Sequence, residues 1–203
     1  MAHGLVADAR ATAEALDNAL GSASLASASE GWLKGLQEKA RRNEESLLAA
    51  QRDDAQPINP YRVVAEIKDA LPRDAIVTAE GETTMGICRA MLPSFVNRSR
   101  FNAGTTGSMG VGLPYAVGAA LACPDRVSMG VLGDYAFGSA AMAVETAARV
   151  GAKPVLVVIN NEGIAGHMIQ DHMLPPNSPP IASLLPARYE KMAEMVDGHA
   201  EYV

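Results

Sequence analysis

Aromatic residues are scarce, at 4% of 203 positions, although 48% of the chain is hydrophobic. With Ala and Gly plentiful instead, the composition suits helices packed closely on a sheet better than a sandwich or propeller. Cysteine is nearly absent. Cys88 and Cys123 show neither ligand-like spacing nor a disulfide framework, which points to a reduced, cytoplasmic setting. Long apolar runs are missing too: stretches such as Val155 to Ile159 fall far short of the ~20 residues a spanning helix needs. The first eight residues lack a basic stretch followed by an apolar one, so neither a signal peptide nor a membrane role is expected. Positive charge is in deficit as well. Seventeen Lys and Arg against 23 Asp and Glu give a net charge of −6, which argues against nucleic-acid or anionic-membrane partners. What remains is ample apolar material for a core, in a length that fits one domain with an appendage or two very small ones.

Residues 1–58 differ in texture from the rest. An Ala-rich stretch over 5–20 predicts a helix, Gly21 to Gly31 a serine-rich loop, and Trp32 to Gln51 a charged helix. Arg52 to Pro57 reads as an acidic linker. Asn59-Pro60 is a helix start, because Asn caps well and Pro at the first helical position loses no hydrogen bond. The helix it opens carries Val63, Val64, Ile67 and Leu71 on one face and stops at Pro72. Beyond it, strands are expected at Ala75–Thr78, Val127–Leu132 and Pro154–Ile159. Helices are expected near Thr84–Leu92, from Gly112 to Cys123, and over Ser139–Val150. Apolar strands alternating with helices predict an α/β fold, a parallel sheet covered on both faces, with an N-terminal helical and linker segment.

In an open parallel sheet, ligands bind at the carboxyl ends of the strands. Three such ends carry polar or glycine-rich residues: Ala79 to Thr84, Gly133 to Gly138 and Asn160 to Ala165. Asp134 follows one strand directly, and Asn161 ends the next. A carboxylate, an amide oxygen and a backbone carbonyl make a partial shell of hard oxygen ligands, which suits Mg²⁺ completed by phosphate and water. Taken singly, Asp134 is equally a helix cap and Asn160-Asn161 a turn. The glycines at 107, 110 and 112 do not follow the dinucleotide-binding pattern, and no acidic residue stands about 20 residues on at a strand end. The His167/His172 pair, without a cysteine nearby, is too small a ligand set for zinc.

Together these residues resemble a known family. The thiamine diphosphate enzymes carry Gly-Asp-Gly, then roughly two dozen residues, then Asn-Asn. Here Gly133-Asp134-Tyr135 is followed by residues 136–159 and then Asn160-Asn161, with Tyr135 in place of the third glycine. The resemblance implies thiamine diphosphate and Mg²⁺ as cofactors, the metal held by Asp134, the Asn161 side chain and the Gly163 carbonyl. Gly104 to Gly112 is similar to the segment on which these enzymes rest the cofactor. On that resemblance the catalytic positions are Met109, an apolar wedge that bends the cofactor between its rings, and Gly107, whose carbonyl accepts a hydrogen bond from the aminopyrimidine. The remaining cofactor contacts implied are Thr83, Thr84, Gly133, Tyr135, Ala136, Ile164 and Ala165.

Glu80 to Met85, Gly107 to Gly112 and Asp134 to Gly138 most resemble the 2-hydroxyacyl-CoA lyase and oxalyl-CoA decarboxylase group. Trp32, Leu36, Lys39, Asn43 and Ile58 to Tyr61 are similar to the same group. The implied activity is carbon–carbon cleavage, or formation, of a 2-hydroxyacyl-CoA to formyl-CoA and an aldehyde or ketone. The alternatives are an oxalyl-CoA decarboxylase, an acetolactate synthase-like enzyme, or a diphosphate-binding module without catalysis. Where family members often carry Tyr after the Asn-Asn turn, this chain has Ala165, which suggests a remodelled pocket with Glu162 or His167 near the reacting carbon. On the same resemblance, residues 1–58 are the helical tail of a middle domain with its linker, and 59–203 the thiamine diphosphate- and Mg²⁺-binding domain without its last elements. The implied partners are an acyl-CoA substrate and a pyrimidine-binding domain or subunit, in a homo- or hetero-oligomer. The chain is then a fragment of a larger enzyme or one subunit of a split one, and it turns nothing over alone.

Overall fold

A computed structural model of the chain describes residues 4–21, 26–164 and 172–203. The chain divides into two compact units, Met1–Leu48 and Ala49–Val203. The first contains α1, Ala9–Leu20, which Asp8 caps by accepting a hydrogen bond from the Ala11 N–H, and most of α2, Ala26–Gln51. Helix α2 begins within the expected serine-rich loop and takes Gly31 and Gly35 into its interior. Its Arg41 is paired to both Glu38 and Glu45, one helical turn to either side.

The second unit opens with α3, Pro60–Ala70, whose cap is the one expected: the Asn59 side chain accepts from the Tyr61 N–H at 3.0 Å. Four strands form one parallel sheet in the order β2-β1-β3-β4. They are β1 (Ile76–Glu80), β2 (Arg100–Phe101), β3 (Ser128–Gly133) and β4 (Val155–Ile159). The helices are α4 (Glu82–Met91), α5 (Gly112–Ala122), α6 (Asp134–Gly138), α7 (Ala143–Val150) and α8 (Lys191–Glu194). Because every pairing is parallel, the carboxyl ends of β1, β3 and β4 share one edge, with Glu80 opposite Leu132 and Gly133 opposite Ile159.

Three expectations need correction. The helix expected over Ser139–Val150 starts only at Ala143, as α7; Ser139–Met142 form turns, and a separate short helix without a sequence expectation, α6, precedes them at Asp134–Gly138. The short β2 has no sequence signal. It sits beside β1, where the Val77 N–H donates to the Ser99 carbonyl and the Arg100 guanidinium donates to the Ala75 and Pro93 carbonyls. Finally, β4 is covered less deeply than β1: Val155 is 48% exposed and Leu156 to Ile159 are half-buried, with Leu156 and Val158 packed against the core.

The core joins Leu113 and Val117 of α5, Leu132 of β3, Phe137 of α6, and Val144 and Ala147 of α7. Each Leu or Phe buried there contributes roughly 1.5–3 kcal/mol of transfer free energy. Two buried hydroxyls anchor α5 to the sheet: Thr78 donates to the Gly112 carbonyl at 2.9 Å and Ser128 to that of Ala116 at 2.8 Å. The start of α5 is thereby fixed beside the end of β1. No helix among the described residues is long and apolar enough to cross a membrane.

Candidate functional site

A cavity of about 350 Å³ opens at the carboxyl edge of the sheet, a volume within the range usual for small-ligand sites. Its walls come from the turn after β1, the Gly104–Gly112 segment, the β3–α6 junction and the turn after β4. Thr83, Thr84, Gly107, Met109, Gly133, Tyr135, Ala136, Asn161, Gly163 and Ile164 all line it. Of the expected cofactor residues, two are not among them. Ala165 lies outside the described residues, as does His167. Asp134 stands between the lining residues Gly133 and Tyr135 but is itself 1% exposed.

The surroundings of Asp134 explain its burial. Oδ1 accepts from the Tyr135 N–H at 2.7 Å and Oδ2 from the Gly163 N–H at 2.9 Å. A buried carboxylate is tolerated only when hydrogen-bonded or paired, and these charge-assisted bonds meet part of that need. They also join the end of β3 to the turn after β4. That turn is held from its other side, where the Ile164 N–H donates to the Ala182 carbonyl and the Leu184 N–H to that of Glu162. Inside the turn the Asn160 side chain accepts from the Glu162 N–H at 3.0 Å, leaving the exposed Asn161 as the member of the pair that lines the cavity. Glu162 takes a left-handed φ of 61° and is exposed, outside the lining residues. Among the described residues no group of three or more His, Cys, Asp and Glu could hold a metal.

Opposite, Met109 is 40% exposed on the cavity wall, at the crest of a segment with left-handed backbone at Gly104, Gly107 and Gly110. Sequence reasoning did not assign a task to Glu80, which lines the same cavity and is 2% exposed. Its Oε1 accepts from the Gly110 N–H and its Oε2 from the Gly112 N–H at 2.5 Å. The available signal was a charged residue ending a run that is otherwise buried throughout, Ile76 to Glu80.

Near this edge Tyr189 stacks edge-on against Phe137 with centroids 5.6 Å apart. Burial, then the charges of Asp134 and Glu162, raise its phenol above the ordinary tyrosine value. Cys88 lies in the core, where burial pushes its thiol up to about 11, so it is a packing residue with no nucleophilic role.

Comparison with known proteins agrees with this geometry. The family described as "Thiamine pyrophosphate enzyme, C-terminal TPP binding domain" matches residues 79–203. The chain is 42% identical to human (Homo sapiens) 2-hydroxyacyl-CoA lyase 1 over 138 residues, covering 66% of this chain and 24% of that protein. It is 36% identical to 2-hydroxyacyl-CoA lyase of Oryza sativa subsp. japonica over 205 residues, 96% of this chain and 36% of that one. A solved thiamine diphosphate-dependent 4-hydroxybenzoylformate decarboxylase of Rhodococcus jostii RHA1 superposes with a TM-score of 0.59 at 26% identity, covering 68% of this chain and 26% of that one. The chain thus spans about a quarter to a third of the length of these relatives. Motif, sheet-edge cavity and family match converge: the chain belongs to the thiamine pyrophosphate enzymes, through their C-terminal TPP-binding domain.

Proposed function

We propose that this chain is the cofactor-binding part of a thiamine diphosphate-dependent carbon–carbon lyase acting on 2-hydroxyacyl-CoA, to give formyl-CoA and an aldehyde or ketone. The observation that carries the reading is the buried Asp134 carboxylate, tied to the Gly163 N–H across two strand ends beside a cavity of ligand size. The substrate class rests on the relatives named 2-hydroxyacyl-CoA lyase, which align over as much as 96% of the chain.

The residues present fit the cofactor and its metal. Asp134 has two N–H partners and acceptor capacity to spare, and a divalent cation would balance a charge that is costly to bury alone. Mg²⁺ would be held by Asp134, the Asn161 side chain and the Gly163 carbonyl, a hard-oxygen set of the type it prefers. At the start of α4 no side chain caps the free N–H groups, and Glu82, Thr83 and Thr84 line the cavity there. Residues 59–203 are then the binding domain, and residues 1–58 the end of a preceding domain with its linker.

When bound, thiamine diphosphate supplies the electron sink for carbon–carbon cleavage. The chain anchors the diphosphate end through Asp134 and the turn after β4. Met109, on the opposite wall, would pack against its ring-bearing half, and the Gly107 carbonyl would accept a hydrogen bond from the aminopyrimidine. A pyrimidine-binding domain, from the same polypeptide or a second subunit, would close the open side, exclude water and supply a carboxyl group for acid–base chemistry at the pyrimidine. General acid–base steps of this kind contribute about 10²–10⁴-fold. The 203-residue chain alone, saturated with thiamine diphosphate and Mg²⁺, is therefore expected to turn over no 2-hydroxyacyl-CoA, and to gain aldehyde and formyl-CoA release once that domain is supplied. Release from oxalyl-CoA only, or multiple turnover by the chain alone, would overturn the proposal.

A further inference from the structure

We infer that Glu80 is a positioning residue for the ring-bearing half of the cofactor, acting through the backbone that carries Met109. The inference rests on the cavity taking thiamine diphosphate, as proposed above. Glu80 ends β1, where it is paired in register with Leu132 of β3. From there its carboxylate spans the Gly110 and Gly112 N–H groups, one on each oxygen. Both bonded residues lie within three positions of Met109 on the same side of the segment. Gly110 is in a left-handed conformation with φ 84°, which removes it from the pattern of a helix and lets both N–H groups converge on a single carboxylate.

The approach leaves no space for adjustment. A Cβ at Gly112 would lie 2.8 Å from Glu80 Cβ and 2.7 Å from Leu132 Cδ2. The segment is thus pinned at its C-terminal side by Thr78 and Glu80, while Ala103, Gly107 and Ser108 face the cavity. Met109 stands next to the pinned part, lines the cavity and is 40% exposed. Its position is set by the two Glu80 hydrogen bonds.

A glutamine is isosteric but offers one acceptor oxygen and one N–H₂ donor, so one backbone N–H would face a donor. In the full 203-residue chain without ligand, Glu80→Gln is expected to accelerate amide exchange at Gly110 and Gly112 by about tenfold or more, from the typical worth of a hydrogen bond to a charged group. Exchange in α7 should stay at the wild-type rate. With Mg²⁺ present, affinity for thiamine diphosphate should fall about tenfold while affinity for inorganic diphosphate stays within about twofold, since the diphosphate end is held elsewhere. On Met109→Ala, the further loss from adding Glu80→Gln should be small, because both act on one contact.

Equal weakening of both ligands, or additive losses in the double variant, would overturn the positioning role. So would unchanged exchange at Gly110 and Gly112 in a folded Glu80→Gln chain. A wild-type chain that binds neither probe would overturn the cofactor reading, and the exchange arm would still decide whether Glu80 holds the segment.

Discussion

Two carboxylates, Glu80 and Asp134, sit at the carboxyl ends of neighbouring parallel strands, each almost fully buried and each gripping two backbone N–H groups. Their partners differ in kind. Both of Glu80's belong to one glycine-rich segment, so both oxygens serve to shape a single wall. Asp134 bonds its own successor and a residue on the turn after the next strand, so it ties two walls together. The shorter aspartate keeps its charge at the strand end, on the Gly163 N–H, where the proposed metal would share it. Glutamate carries its charge one methylene further, into the segment it holds. Similar burial therefore serves different ends, and the reach of the side chain decides which.

Removing the metal-directed member should have the largest effect. Asp134→Ala is expected to cost Mg²⁺-dependent thiamine diphosphate binding about 100-fold or more, beyond the 10–100-fold typical of losing an outer partner of a metal ligand. Calorimetric titration with and without Mg²⁺ measures it, and wild-type affinity would break the contrast between the two carboxylates.

Met109→Ala comes next. In the assembled enzyme it should leave diphosphate affinity near the wild-type value and slow deuterium exchange at C2 of the cofactor by up to about 100-fold, the scale on which a 1 Å misplacement is felt. NMR reads that exchange directly, and a wild-type rate would reduce Met109 to packing.

The smallest effects test the glycines of α5. Gly112→Ala places a Cβ under 3 Å from Leu132 and from the Glu80 carboxylate, and should destabilise by about 1–3 kcal/mol through overpacking. Gly118→Ala, where nothing lies within 4 Å, should instead stabilise by about 0.5–1 kcal/mol, because Gly is the poorer helix former. Denaturant unfolding of both variants separates a steric demand at Glu80 from a general intolerance of α5.

Much of the second unit was legible from local chemistry. Asn59-Pro60 marked α3 because a cap and a first-turn proline act within three residues. The apolar run at Val155–Ile159 marked β4, and the Asp134–Asn161 spacing placed two strand ends side by side. Other features were hidden. Ser139–Met142 separate α6 from α7, although nothing in their residue types stops a helix. In β2, only two residues pair with β1, too short a run to leave a pattern in the sequence. The early start of α2 overrode its serines and glycines, residues that are weak but not forbidden in helices.

The sequence by itself determined the class of fold and most of its strands and helices, because caps and periodicity act over short stretches of chain. Only the tertiary structure decided what Glu80 does. Its partners lie 30 and 32 residues away, and a strand-end glutamate looks the same in sequence whether it faces water or grips a loop. Pairing of β1 with β3 and anchoring of α5 through Thr78 bring the glycine-rich backbone to that carboxylate, and a contact made by packing is not encoded in any local pattern.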